Sequence, residues 1–219
     1  NRDALMRLYL SHIPTDVRPV LAGDHTAWAR VAARTLRDRT VEHQPTPVPG
    51  NRPITVGQGY GTLVWVPEPQ GSWALPLLNE RITSQDTPFE IGSRQLQRVC
   101  EKLSNRPISL WDAEYGCAPF VLATADIPAD KVMRLRPNLC LWGPPPPYGG
   151  QGRPRKHGAK FKLSDPATWD PPAASLEVDD LELGRVQVSL WREKHFRKAA
   201  AHPLLVVRIH RQAARGTRR

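Results

Sequence analysis

Two aspartates stand where carboxylates can do chemistry. Asp24 follows the apolar run Val20-Leu21-Ala22 inside VRPVLAGDHTAW, residues 17–28. Asp112 follows a second apolar run inside ISLWDAEYG, residues 108–116. Each run has the length and character of a buried strand, and Asp24 is expected to end the first one. An acid in such a place usually caps a turn. Two acids delivered by two buried strands can also share a divalent-cation site, because hard ions such as Mg²⁺ take carboxylate oxygens. His25, beside Asp24, can touch that site but reads first as an ordinary hydrogen-bonded histidine. Glu114, two residues after Asp112, reads as an exposed turn acid.

The elements that must position these acids can be read in order. Residues 4–10 form a short amphipathic segment, closed off by Pro14 and Pro19. Residues 35–51 are polar and proline-rich and read as a long loop. Residues 54–66 read as a strand in which Gly57, Gly59 and Gly61 leave one side bare, a sign that another backbone or a ligand comes close. Glu68 to Ser72 reads as a hairpin turn, and residues 73–82 return as the partner strand. Pro76 marks an edge or a bulge there. Thr87-Pro88-Phe89-Glu90 carries an N-cap, a proline in the first turn and a capping-box glutamate. That helix runs to about Ser104-Asn105. Strand 108–111, a short helix from Pro119 to Ala123 and strand 131–136 follow. A helix between the third and fourth strands lets the fourth lie parallel beside the first, which brings Asp24 near Asp112. The expected fold is α/β (α+β), a mixed five-stranded sheet of the RNase-H-like kind with flanking helices.

From Leu139 the texture changes. A Gly/Pro loop is followed by GRPRKHGAKFK, residues 152–162, and then by three expected strands at 177–181, 183–191 and 204–211. The chain divides on this reading into 1–16, the end of a helical segment; 17–138, the core; and 139–219, a β-rich basic segment. Trp28, Trp65, Trp73, Trp111 and Trp191 read as core or sheet-face residues. Tyr148 and Phe161 can stack on bases, or equally well pack within the segment.

The net charge is +10, and it is uneven. Residues 144–164 carry Arg153, Arg155, Lys156, Lys160 and Lys162 with no acid, residues 192–219 carry +8, and the remainder nets −3. Localised positive charge points to a polyanion, most often nucleic acid. Cys100, Cys117 and Cys140 are too scattered for a disulfide frame or a CxxC metal site, and a reduced cytoplasmic setting fits them. No apolar run approaches the ~20 residues of a membrane span, so no membrane partner is expected. With Asn1 in place of an initiator Met and Arg218-Arg219 at the other end, the sequence reads as a piece of something longer.

The runs LAGDHTAW, LRDRTVEHQPTPVPGNRPITVGQGY, SWALPLLNERI, LWDAEYGCAPF and GRPRKHGAKFKLSDPATW resemble bacterial insertion-sequence transposases of the DDE type, the DDE-superfamily endonucleases with an RNase-H-like catalytic domain. The resemblance covers the chain from about Val17 onward. It implies metal-dependent cleavage and strand transfer at element ends, with double-stranded DNA as partner and a homodimer as the working assembly. It makes Asp24 and Asp112 the first two catalytic, metal-holding acids, with two Mg²⁺ or Mn²⁺ ions and Asp24 as the bridging ligand. Beside it, the basic run Arg153, Arg155, Lys156, Lys160 and Lys162 reads as phosphate contacts to DNA. In that family the third acid is a glutamate on a late helix, in a context like Tyr-x-x-Arg-x-x-x-Glu. That context is absent here, since Glu177, Glu182 and Glu193 lie among strand or loop residues. The chain is therefore expected to be C-terminally truncated, and inactive by itself. Two other readings use the same fold: a non-catalytic DNA-binding relic, and an RNase-H-like nuclease.

Overall fold

The computed structural model describes residues 2–43, 54–68, 70–71, 73–181 and 183–211, the side chains of Arg2 and His43 excepted. The chain forms two compact units, Asn1–Leu135 and Arg136–Arg219.

The first unit is built on a six-stranded mixed sheet. Its strands are β1 (Val20–Ala29), β2 (Thr40–His43), β3 (Ile54–Val66), β4 (Leu75–Ile82), β5 (Ile108–Trp111) and β6 (Asp130–Met133). The order is β2-β3-β1-β5-β6, with β4 also paired to β3. β1 and β3 are antiparallel, whereas β1–β5 and β5–β6 are parallel. The helices are α1 (Arg2–Ser11), α2 (Pro88–Cys100) and α3 (Ala118–Ala123). β4 returns antiparallel on β3, so its connection can be a turn. β5 runs parallel to β1 and needs a crossover, which α2 supplies.

α2 starts where its sequence says it should. The Thr87 side chain accepts from the Glu90 N–H at 3.3 Å, and the Glu90 carboxylate accepts from the Thr87 N–H at 2.8 Å. The helix ends at Cys100, earlier than the apolar stripe implies. Its buried Leu96 and Val99 join Leu21, Leu63, Trp65, Leu78, Trp111 and Phe120 in one core. The bare side of β3 is filled by the protein itself. A side chain at Gly61 would stand 2.8 Å from Ile91 of α2, and one at Gly59 would stand 3.0 Å from the Glu42 carboxylate. Gln95 also crosses to donate to the Gly61 carbonyl at 2.9 Å.

Four expectations are corrected. The sheet has six strands rather than five, because Thr40 to His43, expected as loop, pairs with the start of β3. Residues 44–51 of that expected loop lie outside the described residues, as do Pro69 and Ser72 of the expected hairpin turn. Asp24 does not end its strand: β1 continues to Ala29, because HTAWA keeps a period-two alternation of exposure. β4 begins at Leu75, and Trp73 is 74% exposed rather than part of a sheet face. Trp28 lies on the sheet face as expected, though 53% exposed, while Trp65, Trp111 and Trp191 are buried. Pro76 does sit at an irregularity, a register shift of β4 against Leu63 and Val64.

The second unit holds the hairpin β7 (Cys140–Trp142) and β8 (Lys160–Lys162), a 3₁₀ turn at Pro166–Thr168, and the antiparallel sheet β9 (Ala174–Asp180), β10 (Gly184–Lys194), β11 (Leu204–Arg211). Phe161, Trp169 and Trp191 pack ring to ring with centroids 5.4–5.5 Å apart. Phe161 is 2% exposed, so it is core and cannot stack on a base. The Trp169 and Trp191 N–H groups donate to the Lys162 and Asp170 carbonyls at 2.6 and 2.7 Å, which satisfies the polar edges that burial would otherwise penalise. Buried Lys194 pairs with Asp170 at 2.8 Å.

Candidate active site

β1 and β5 pair in parallel register from Val20↔Ile108 to Gly23↔Trp111. Asp24 and Asp112 are the next residue of each strand, so the pairing delivers both to the same edge of the same ladder. Both are exposed; the Asp112 side chain is 56% accessible and lies 3.9 Å from the Arg134 guanidinium. Gly23 is required between them and the core, because any side chain there would overlap the Trp111 ring.

His25 ties this edge together. Its backbone N–H donates to the Asp24 carboxylate at 2.7 Å. Its ring nitrogens meet two more acids, Nδ1 to Glu114 at 2.8 Å and Nε2 to Glu42 at 3.3 Å. The hydrogen bond to Glu114, opposed by burial and helped by the charges of Glu114 and Glu42, raises the His25 pKa to about 9. The ring is therefore an imidazolium at neutral pH. Glu114 is its partner rather than a simple turn acid, and Glu42 is a member that no sequence motif points to. The one hint for Glu42 was the alternation of Thr40-Val41-Glu42-His43. Thr40 donates to the other Glu42 oxygen, which fixes that carboxylate.

Tyr115 lies beneath the acids. Burial, and then the charges of Glu114, Asp24 and Asp112, raise its hydroxyl pKa well above the ordinary tyrosine value. That hydroxyl is buried without a hydrogen-bond partner. The tyrosine serves as packing, against Trp111 and Phe120 at 4.8 and 5.1 Å.

Asp24 and Asp112 fit a hard divalent cation in donor type, since both offer exposed carboxylate oxygens. Among the described residues, no group of three His, Cys, Asp or Glu is gathered as a metal cage. Glu177 lies on β9, paired with Arg185, and Glu193 lies on β10 with φ 55°. Glu182 lies outside the described residues.

In the second unit, Arg153, Arg155 and Lys156 are exposed on the loop between β7 and β8. Lys160 lies 5.6 Å over the Trp142 ring, and Lys162 pairs with Asp165 at 3.7 Å. Arg197 also approaches Trp142, at 5.9 Å. The five basic residues thus share one hairpin and its loop. Tyr148 is on the same loop and exposed, with its hydroxyl donating to the Gly152 carbonyl at 2.8 Å. Arg215, Arg218 and Arg219 lie outside the described residues.

No helix among the described residues is long and apolar enough to cross a membrane. No curated protein matches the chain. Among solved structures it is similar to a piggyBac transposase, determined by cryo-EM in a synaptic complex with hairpin DNA. The identity is 10% and the TM-score 0.33, over 79% of this chain and 30% of that one. The chain thus spans less than a third of that protein's length. The family model described as DDE superfamily endonuclease matches residues 1–197, a span that includes both aspartates and the GRPRKHG segment, and the chain belongs to that family.

Proposed function

We propose that this chain is the catalytic region of a DNA transposase, cutting and joining phosphodiesters at the ends of an insertion sequence. The observation that carries the reading is the placement of Asp24 and Asp112 each one residue past the last pair of the β1–β5 register, Gly23↔Trp111. Asp24 and Asp112 would hold the metal, Mg²⁺ or Mn²⁺, with two ions as the expected complement. When bound, the metal supplies charge that activates the attacking oxygen and stabilises the leaving one. The chain's own part is to hold the two carboxylates in place. His25 does this by bonding the Asp24 carboxylate through its N–H and the Asp112 turn through Glu114. Arg153, Arg155, Lys156, Lys160 and Lys162 would contact phosphates, which position DNA without reading its sequence. A homodimer is the assembly that accompanies this reading. A cytoplasmic, nucleoid-associated location accompanies it too.

Among the described residues no third acid joins the two aspartates. With one ligand short, the 219 residues alone are expected to nick DNA slowly or not at all. The same observation favours a second reading, a DNA-binding relic. Calorimetry with Mn²⁺ separates the two. The catalytic reading expects binding that Asp24→Asn or Asp112→Asn abolishes. Binding indifferent to both substitutions sinks it. A parallel assay compares Mg²⁺-dependent nicking by these 219 residues and by a longer polypeptide that includes a Tyr-x-x-Arg-x-x-x-Glu-like helix. Equal nicking by both, lost in Asp112→Ala, would place the third acid inside this chain.

A further inference from the structure

The outward face of β1 carries more than Asp24. Strand alternation puts Asp24, Thr26 and Trp28 on one side, opposite Gly23 and His25. Their cross-strand partners on β3 are Thr62, Tyr60 and Gln58. Trp28 is 53% exposed there, although burying an aromatic of that size would be favourable. It is nevertheless held in place. The Tyr60 ring meets it edge to face at 5.7 Å, and the Tyr60 hydroxyl donates to Gln58 at 3.1 Å. The Arg30 guanidinium lies 4.7 Å over the Trp28 ring, anchored by a bond to the Ala29 carbonyl at 3.1 Å. The guanidinium covers that face, so a base stacks there by displacing Arg30 from the ring toward a phosphate.

Val41 and Val56, a cross-strand pair, continue this face and are 73% and 37% exposed. An apolar face alone would suit another protein surface. The charge decides otherwise: Arg30, Arg34, Arg37 and Arg39 follow within ten residues against Asp38 alone. Aromatic surface with a surplus of arginine is the composition that binds single-stranded nucleic acid, base on ring and phosphate on guanidinium.

We propose that Trp28 and Arg30 hold an unpaired nucleotide of the DNA strand whose phosphodiester is presented to Asp24 and Asp112, an inference that rests on the transposase reading above. The base lies against Trp28 and its phosphate is taken by Arg30. Four residues of strand separate Asp24 from Trp28, about 13 Å at ~3.3 Å each. That is up to about four nucleotides of B-form strand, at ~3.4 Å each. The site therefore engages the strand end close to the cut rather than remote duplex.

The test measures anisotropy of two labelled DNAs, a blunt duplex and the same duplex with an overhang of about four nucleotides, on the 219-residue chain and its variants. Trp28→Ala is expected to weaken the overhang DNA roughly tenfold and leave the blunt duplex unchanged, with Trp28→Phe retaining most of the affinity. Arg30→Ala is expected to lower the salt slope on the overhang DNA by about 1. Both side chains are exposed, and a thermal melt verifies folding. If Trp28→Ala misfolds, the Arg30→Ala slope decides alone. Overhang binding unaffected by Trp28→Ala and Arg30→Ala overturns this proposal while Asp24-dependent Mn²⁺ binding keeps the functional reading intact. Failure of the unmodified chain to bind either DNA overturns both. A dimer in sedimentation that Trp28→Ala dissociates would assign the face to a second copy and also overturn the proposal.

Discussion

Each unit buries a histidine against another titratable side chain, and the two are driven in opposite directions. His25 is pinned between Glu114 and Glu42, and its pKa rises to about 9. His195 is 3% exposed, and its ring meets His157 at 3.0 Å. Burial, then the neighbouring His157 and Lys194, lower its pKa below the ordinary 6.5. The contrast is set locally, by the acids bonded to His25 and by the burial of His195, and the composition of the units runs the same way. Residues 1–135 hold 15 Lys/Arg against 14 Asp/Glu, whereas residues 136–219 hold 16 against 7. The first unit spends its acids in a local cluster that needs a cation. The second has cations in excess and keeps its histidine neutral. One gathers acids around its histidine, the other carries its surplus of cations.

The largest test of that contrast is a cavity. Phe161→Ala removes a fully packed ring between Trp169 and Trp191 and should cost about 3–5 kcal/mol of the second unit's stability. NMR of the His25 ring should be unchanged if the two clusters are independent, and a shifted His25 signal would break the comparison. A smaller effect is expected from Arg153→Ala, Arg155→Ala and Lys156→Ala combined. Duplex affinity should fall about equally for many sequences, and the salt slope by about 3. An unchanged slope would count against these residues as phosphate contacts. The smallest effect is that of pH on the metal-free chain. A raised folded pKa means His25's contribution is complete below about 6.5 and is lost as pH rises through about 9. His195 has the opposite sign: its contribution is complete above 6.5 and is lost as pH falls through 6.5 toward its lower folded value. Histidine ring titrations by NMR would show both. Two histidines titrating together near 6.5 would remove the distinction.

Local signals were legible and non-local ones were not. The capping box at Thr87 and Glu90, the break at Pro76 and the crossover that sets β5 beside β1 each rest on a few adjacent residues, and each is found in the structure. β2 is not legible because Thr40 to His43 is polar and short, and its partner on β3 begins only at Ile54. Glu42 and Glu114 lie 17 and 89 residues from His25, so no spacing could join them. Phe161 sits among basic side chains in sequence, which leaves base stacking and packing equally open there. Its partners Trp169 and Trp191, eight and thirty residues on, turn it into core. Trp28 reads from sequence as core or sheet face, and the alternation that starts at Leu21 decides for the outward sheet face.

The parallel ladder between β1 and β5 also sets a clock on the ribosome. Asp24 is made about 88 residues before Asp112, which at ~5–20 residues per second is a gap of about 4–18 s. Once β3 is complete at Val66, β1 can pair with it, yet its other edge has no partner and stays open to a chaperone or to a wrong strand. A nascent chain arrested before Trp111 would therefore carry the first aspartate with nothing beside it. The two aspartates of this chain can come to one edge only after translation has passed the turn at Asp112.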